Sequence, residues 1–275
     1  MKLTQDTLCD YFTVADSTNS WYKETTNTFD FINNNSKNLL VTVGDSWTYG
    51  DQLKDRIHET YGKIVADTLQ YDWLNLGLCA TGNFWMASMI EELSNIIPKL
   101  EYQNIYVVCV FAGVGRWFNT QYDQHINYVD WFRQNVKKKQ DFDKLLVMLN
   151  QECVSRIINA LQPFSHVKLK VGTNYLDQIG FDQLVDKQIL KMPWYEVIGC
   201  QVHDKIYTCV YWERISTAIE FIDPLLHDQY KEWVIDIIDR TSARVEILKD
   251  NKKFINYHPN ATAHRQWAEY VIRNL

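Results

Sequence analysis

The sequence predicts an α/β fold, a mostly parallel sheet with helices on both faces, from three observations. Short apolar runs of strand length recur along the chain, each closed at or near a glycine. Longer segments with apolar residues three and four apart lie between them. The two kinds alternate without long linkers, as in strand–helix–strand units whose sheet is buried on both sides. The expected architecture is a three-layer α/β/α domain over residues 38–275, preceded by an N-terminal extension, 1–37.

The extension is rich in Thr, Asn and Asp, ends in the polar stretch Asn33-Asn34-Asn35-Ser36, and carries Trp21, Tyr22, Phe29 and Phe31 to pack against the body. The first strand is the run NLLVTV at 38–43, stopped by Gly44. Ile57, Tyr61, Ile64, Val65 and Leu69 then share one helical face, and 72–77 forms a second strand. From Met86 to Leu100 the apolar spacing describes an amphipathic helix, and NIYVVCVF at 104–111 is the clearest strand of the chain. After an aromatic-rich, irregular region, a helix is expected from about 141 to 162, with Cys153, Ile157 and Leu161 on its inner face. HVKLKVGT at 166–173 alternates as a strand, and 195–212 holds further strand-like pieces. Two helices close the chain, one near 227–249 and one bearing Trp267, Val271 and Leu275.

Composition narrows the function. A net charge of −6 and a pI near 5.6 are the wrong sign for a general nucleic-acid binder. The apolar runs are too short to cross a bilayer, and the N-terminus has no secretory pattern, so a soluble, cytoplasmic protein is expected. The six cysteines contain no CxxC pair and read as reduced, mostly buried thiols. Cys200, His203 and Cys209 offer metal-ligand types without a fourth partner, so no metal is expected.

Ligands of such sheets collect at the carboxyl ends of the strands, and the loop after the first strand is the most informative. It reads Gly44-Asp45-Ser46-Trp47-Thr48-Tyr49-Gly50. A strand running through Gly into a hydroxyl residue at a helix start exposes that hydroxyl beside free backbone N–H donors. The same triplet also suits a helix N-cap. Near the other end of the chain stands Asn256-Tyr257-His258-Pro259, just before an amphipathic helix.

These two blocks, with their order and separation, resemble the SGNH/GDSL hydrolase family, and faintly its divergent members carried by bacteriophages. The resemblance implies a flavodoxin-like sheet and a serine esterase. Ser46 would be the nucleophile and His258 its general base. The expected oxyanion donors are the N–H of Ser46 and that of Gly82 in a second block, Asn75-Leu76-Gly77-Leu78-Cys79-Ala80-Thr81-Gly82-Asn83, with Gly77 as the alternative glycine. In the third block the family's Gly-x-Asn is absent after Gly113, and Arg116 is the expected replacement donor, ahead of Asn119. The family's Asp two or three residues before the His is also absent. Asn256 stands in its place and can orient the ring without supplying charge, and a backbone carbonyl or Asp250 is an alternative. His264, six residues on, is expected to pack or hydrogen-bond the loop. Asp45, Trp47, Asn83 and Trp117 are expected on the substrate side. There the tryptophans, with Trp85, suit a sugar ring and hence small acyl esters such as O-acetyl groups on carbohydrate. No cofactor is expected. Two other readings remain, a binding protein of the same fold that has lost its acid, and a flavodoxin-like protein whose 44–50 loop holds a phosphate.

Overall fold

A computed structural model describes residues 2–4, 29–79, 81–112, 139–174, 180–199, 254–255 and 258–275, with 139–146 and 254–255 as backbone alone. The expectations for Arg116, Trp117, Asn119, Cys200, His203, Cys209, Asp250, Asn256 and the 227–249 helix lie outside the described residues.

Four strands carry the frame: β2 (Asn38–Gly44), β3 (Asp72–Gly77), β4 (Asn104–Phe111) and β5 (Val167–Thr173). They pair in parallel in the order β3-β2-β4-β5, with Val43 opposite Leu76 on one side and Cys109 on the other. A short strand, β1 (Asp30–Ile32), joins antiparallel at the β3 edge, Phe31 opposite Leu74. This strand falls inside the segment expected as an extension. It is tied down by the ion pair between Asp30 and Arg56.

Because strand side chains alternate between faces, each strand serves two cores. Leu39, Val41 and Val43 face one side, where α4 (Asn83–Ile96) supplies Met86, Ile90 and Leu93, and α5 (Lys139–Leu161) supplies Cys153, Ile157 and Leu161. Leu40, Trp73, Val108 and Val110 face the other, packed on α3 (Tyr61–Leu69), α6 (Trp194–Val197) and α7 (Ala261–Asn274). That division makes the molecule the three-layer α/β/α sandwich the sequence predicts. Continuous burial on both faces is why these strands read as unbroken apolar runs. Burial pushes the Cys109 and Cys153 thiols up, the latter to about 12. Both act as core side chains rather than reactive groups.

The helix expected across 57–69 is in fact two, α2 (Arg56–Glu59) and α3, separated by Thr60 in extended conformation at φ −69° and ψ 146°. At the start of the expected strand-like stretch 195–212, residues Trp194–Val197 are instead the helix α6. No helix among the described residues is long and apolar enough to cross a membrane.

Connections from β2 run to one side of the sheet and those from β4 to the other. The carboxyl ends of β2 and β4 therefore flank the point where the strand order reverses. This is where open α/β sheets leave a crevice, and Ser46 follows directly from β2.

Candidate active site

The turn that carries Ser46 is built by the ends of three strands. Asp45 caps the four-residue helix α1 (Ser46–Tyr49), its carboxylate accepting the Trp47 N–H at 3.0 Å. Asn174, the residue after β5, donates its side-chain amide to both Asp45 oxygens at 3.0 Å. From β3, Asn75 donates to the Thr48 carbonyl at 3.4 Å, while its own oxygen accepts from Gly77 N–H and from Thr42 Oγ1. The helix can lie this close only because Gly77 has no side chain. A Cβ there would sit 2.6 Å from the Tyr49 nitrogen and 2.8 Å from the Thr48 carbonyl carbon. Gly50, at φ +85°, closes α1 by donating to the carbonyls of Ser46 and Trp47.

His258 arrives from the far end of the chain. It lies in β7 (His258–Pro259), paired antiparallel with β6 (Phe254–Ile255). Asn260 then caps α7 by accepting the Ala263 N–H at 3.1 Å. The helix docks on α3, and His264 fixes the docking. Its Nδ1 accepts the Tyr61 N–H at 3.1 Å, taking up a donor that a helix start leaves without an intrahelical acceptor. Burial, and then the charge of His258, hold His264 far below the usual imidazole range, at about 3. It is therefore neutral and structural, as the sequence suggests.

The outcome is a contact across 212 positions, His258 Nε2 to Ser46 Oγ at 3.0 Å. Ser46 is 5% exposed, so its hydroxyl is aimed by packing rather than free to rotate into solvent. A second group meets the same ring nitrogen: Asp51 Oδ2 lies 3.4 Å from Nε2.

The two candidate glycines differ in what their N–H groups do. The Gly77 N–H is committed to the Asn75 side chain at 3.0 Å. Among the described residues the N–H groups of Ser46 and Gly82 are not taken up by an acceptor. Gly82 is the N-cap of α4. The loop that carries it is pinned beside the Ser46 turn by Leu78 N–H donating to the Gly44 carbonyl at 3.0 Å.

Three residues expected on the substrate side are placed differently. Asp45 is buried and works as a cap. Trp47 is 3% exposed and meets the Trp194 ring edge-on at 5.5 Å, so its indole belongs to the core. Asn83 is buried and donates to Asn150 at 2.9 Å. Each is drawn inward by a partner beneath it: Asn174 after β5 for Asp45, the Trp194 ring for Trp47, and Asn150 of α5 for Asn83. Asp51 and Asn174 are the site residues that sequence reasoning passed over. Their positions, one past Gly50 and first after a strand, were the available signal.

Fold and site together define an α/β protein with a serine–histidine pair at the carboxyl edge of a mostly parallel sheet. No known family model matches the chain, and no curated protein does. Among solved structures it is similar to a G-D-S-L family protein from Desulfitobacterium hafniense DCB-2, at 10% identity over 86% of this chain and 99% of that one, TM-score 0.43. It is also similar to the lipase Lip_vut3 from a goat rumen metagenome, at 11% identity over 86% and 96%, TM-score 0.41. A third is a family two carbohydrate esterase from Clostridium thermocellum, at 12% identity over 86% and 62%, TM-score 0.37. G-D-S-L is the family whose motif the Gly44–Gly50 turn resembles.

Proposed function

We propose that the chain is an ester hydrolase in which Ser46 is acylated and His258 is the general base. The observation that carries this is the 3.0 Å approach of His258 Nε2 to the Ser46 oxygen at the strand-switch point. With its own proton on Nδ1, the imidazole takes the Ser46 proton as Oγ attacks the carbonyl carbon. The carbonyl electron pair moves onto oxygen, where the N–H groups of Ser46 and Gly82 donate to it. Arg116 is the third donor in this reading. The imidazolium then returns its proton to the leaving alcohol, and water repeats the sequence to release the acid. The expected substrates are small acyl esters, with O-acetylated carbohydrate as the alcohol class.

A fluorophosphonate probe tests the reading directly. It should label the protein at Ser46, and Ser46→Ala should abolish both labelling and ester cleavage. Of p-nitrophenyl acetate, butyrate and octanoate, the acetate should turn over fastest. A fold kept for binding alone would leave Ser46 unlabelled. Faster octanoate cleavage would remove the small-acyl assignment but leave the mechanism.

A further inference from the structure

The family resemblance leaves the acid position before His258 without a carboxylate, yet a carboxylate does reach the imidazole. It comes from the nucleophile's own turn. Gly50 at φ +85° and Gln52 at φ +67° bend the chain back on itself, and Asp51 N–H donates to the Ser46 carbonyl at 3.0 Å. Left-handed backbone is uncommon at a residue such as Gln52, so the bend is imposed by its surroundings. The Asp51 carboxylate is oriented within it. Oδ1 accepts the Gln52 N–H at 3.0 Å and its side-chain amide at 3.3 Å, which leaves Oδ2 turned to His258 Nε2 at 3.4 Å.

We propose that Asp51 stabilises the imidazolium that His258 becomes, with a carboxylate supplied from the nucleophile's own turn. The inference rests on the ester-hydrolase reading above. Its physical core is the difference between two distances at one nitrogen. At 3.0 Å, Nε2 is in hydrogen-bond contact with Ser46. At 3.4 Å, Asp51 is beyond a good hydrogen bond but within ion-pair range. In the resting enzyme Nε2 presents a lone pair, and Asp51 gains nothing from it. When the Ser46 proton moves to Nε2, the Oγ–carbonyl bond forms and the carbonyl pair shifts to oxygen, and the ring becomes a cation beside a fixed anion. The attraction therefore exists in the transition state and not in the ground state, which is the kind of interaction that raises turnover rather than binding.

Asp51→Asn tests this beside Asp51→Ala: the amide keeps the acceptor for Gln52 and loses the charge but turns an N–H donor toward Nε2, whereas alanine loses the charge without adding a donor, and both should show the same fall. With p-nitrophenyl acetate, kcat should fall by about two- to fivefold, the scale of a partly exposed ion pair, with KM unchanged. Fluorophosphonate labelling of Ser46 should slow by the same factor. In a His258→Ala background, where no imidazolium forms, Asp51→Asn should change labelling no further. Asp51→Glu should recover part of the rate. If the unsubstituted protein is not labelled at all, the hydrolase reading fails and this inference with it. If it is labelled, three results overturn the Asp51 role alone: labelling as fast or faster in Asp51→Asn, an equal loss in the His258→Ala background, or a change confined to KM.

Discussion

Asn174 holds Asp45 across 129 positions of chain with one amide group shared between two carboxylate oxygens. Asp45 is 2% exposed, and its other visible duty is to cap the Trp47 N–H, which sets the pitch of the turn bearing Ser46. Asn174→Ala removes a donor from a buried carboxylate that water cannot reach. Hydrogen bonds to charged groups are worth about 1.5–3 kcal/mol, and a loss of that size should appear as a lower urea midpoint. Turnover should fall as well, because the cap that aims Ser46 is loosened; an unchanged midpoint would show that Asp45 is held by its other contacts. At this scale the meeting of Ser46 and His258 was legible because each stands in a short motif of recognisable residue type. Asp51 and Asn174 were not. One depends on two left-handed residues that turn the chain back, the other on which strand end lies beside which. Trp47 misled for the same reason, since an indole beside a site is indistinguishable in sequence from one beneath it.

Gly77 decides how closely α1 can lie on the sheet. Its missing side chain leaves room for backbone atoms of Thr48 and Tyr49, and backbone cannot move aside as a flexible side chain can. Gly77→Ala should therefore cost about 1–3 kcal/mol, as overpacking of a filled interior does, and should reduce ester cleavage by lifting Ser46 away from His258. Thermal or urea unfolding beside acetate-ester turnover checks both effects. A variant that is stable and fully active would mean α1 shifts without consequence. The four parallel strands were readable as elements because both their faces are buried, so hydrophobicity runs without a break. β1 was not, since three residues of DFI carry no such signal. The break between α2 and α3 was hidden by tertiary structure. Periodicity runs through Thr60, but the Tyr61 N–H is taken by His264 from the distant α7 rather than by the preceding turn.

The docking of α7 onto α3 joins the far end of the chain to the sheet's second face, and it makes stability sensitive to acid. His264 sits between the two helices, stacked near Tyr61 and edge-to-face with Trp194 at 4.9 Å. Its Nδ1 can accept the Tyr61 N–H only while it carries no proton. Protonation would bury a charge, and near His258, which is why the folded protein holds the ring at about 3, below the ordinary value of 6.5; it would also break the bond from Tyr61. An unfolded chain takes up this proton as pH falls through about 6.5, and the folded one does not until near 3. Across that window the unfolded state binds more protons, so acidification favours it. The stabilising contribution is complete above the upper value and is lost progressively toward the lower. One proton corresponds to a slope of about 1.4 kcal/mol per pH unit. His264→Asn keeps an acceptor for Tyr61 but cannot titrate. Its urea-derived stability, plotted between about pH 6 and 4, should fall less steeply than that of the unsubstituted protein by close to this amount. The absolute stability near neutrality should be lower, because the ring contacts with Tyr61 and Trp194 are gone. Two parallel plots would mean that carboxylates alone set the acid limb and that the α3–α7 junction tolerates a charged His264.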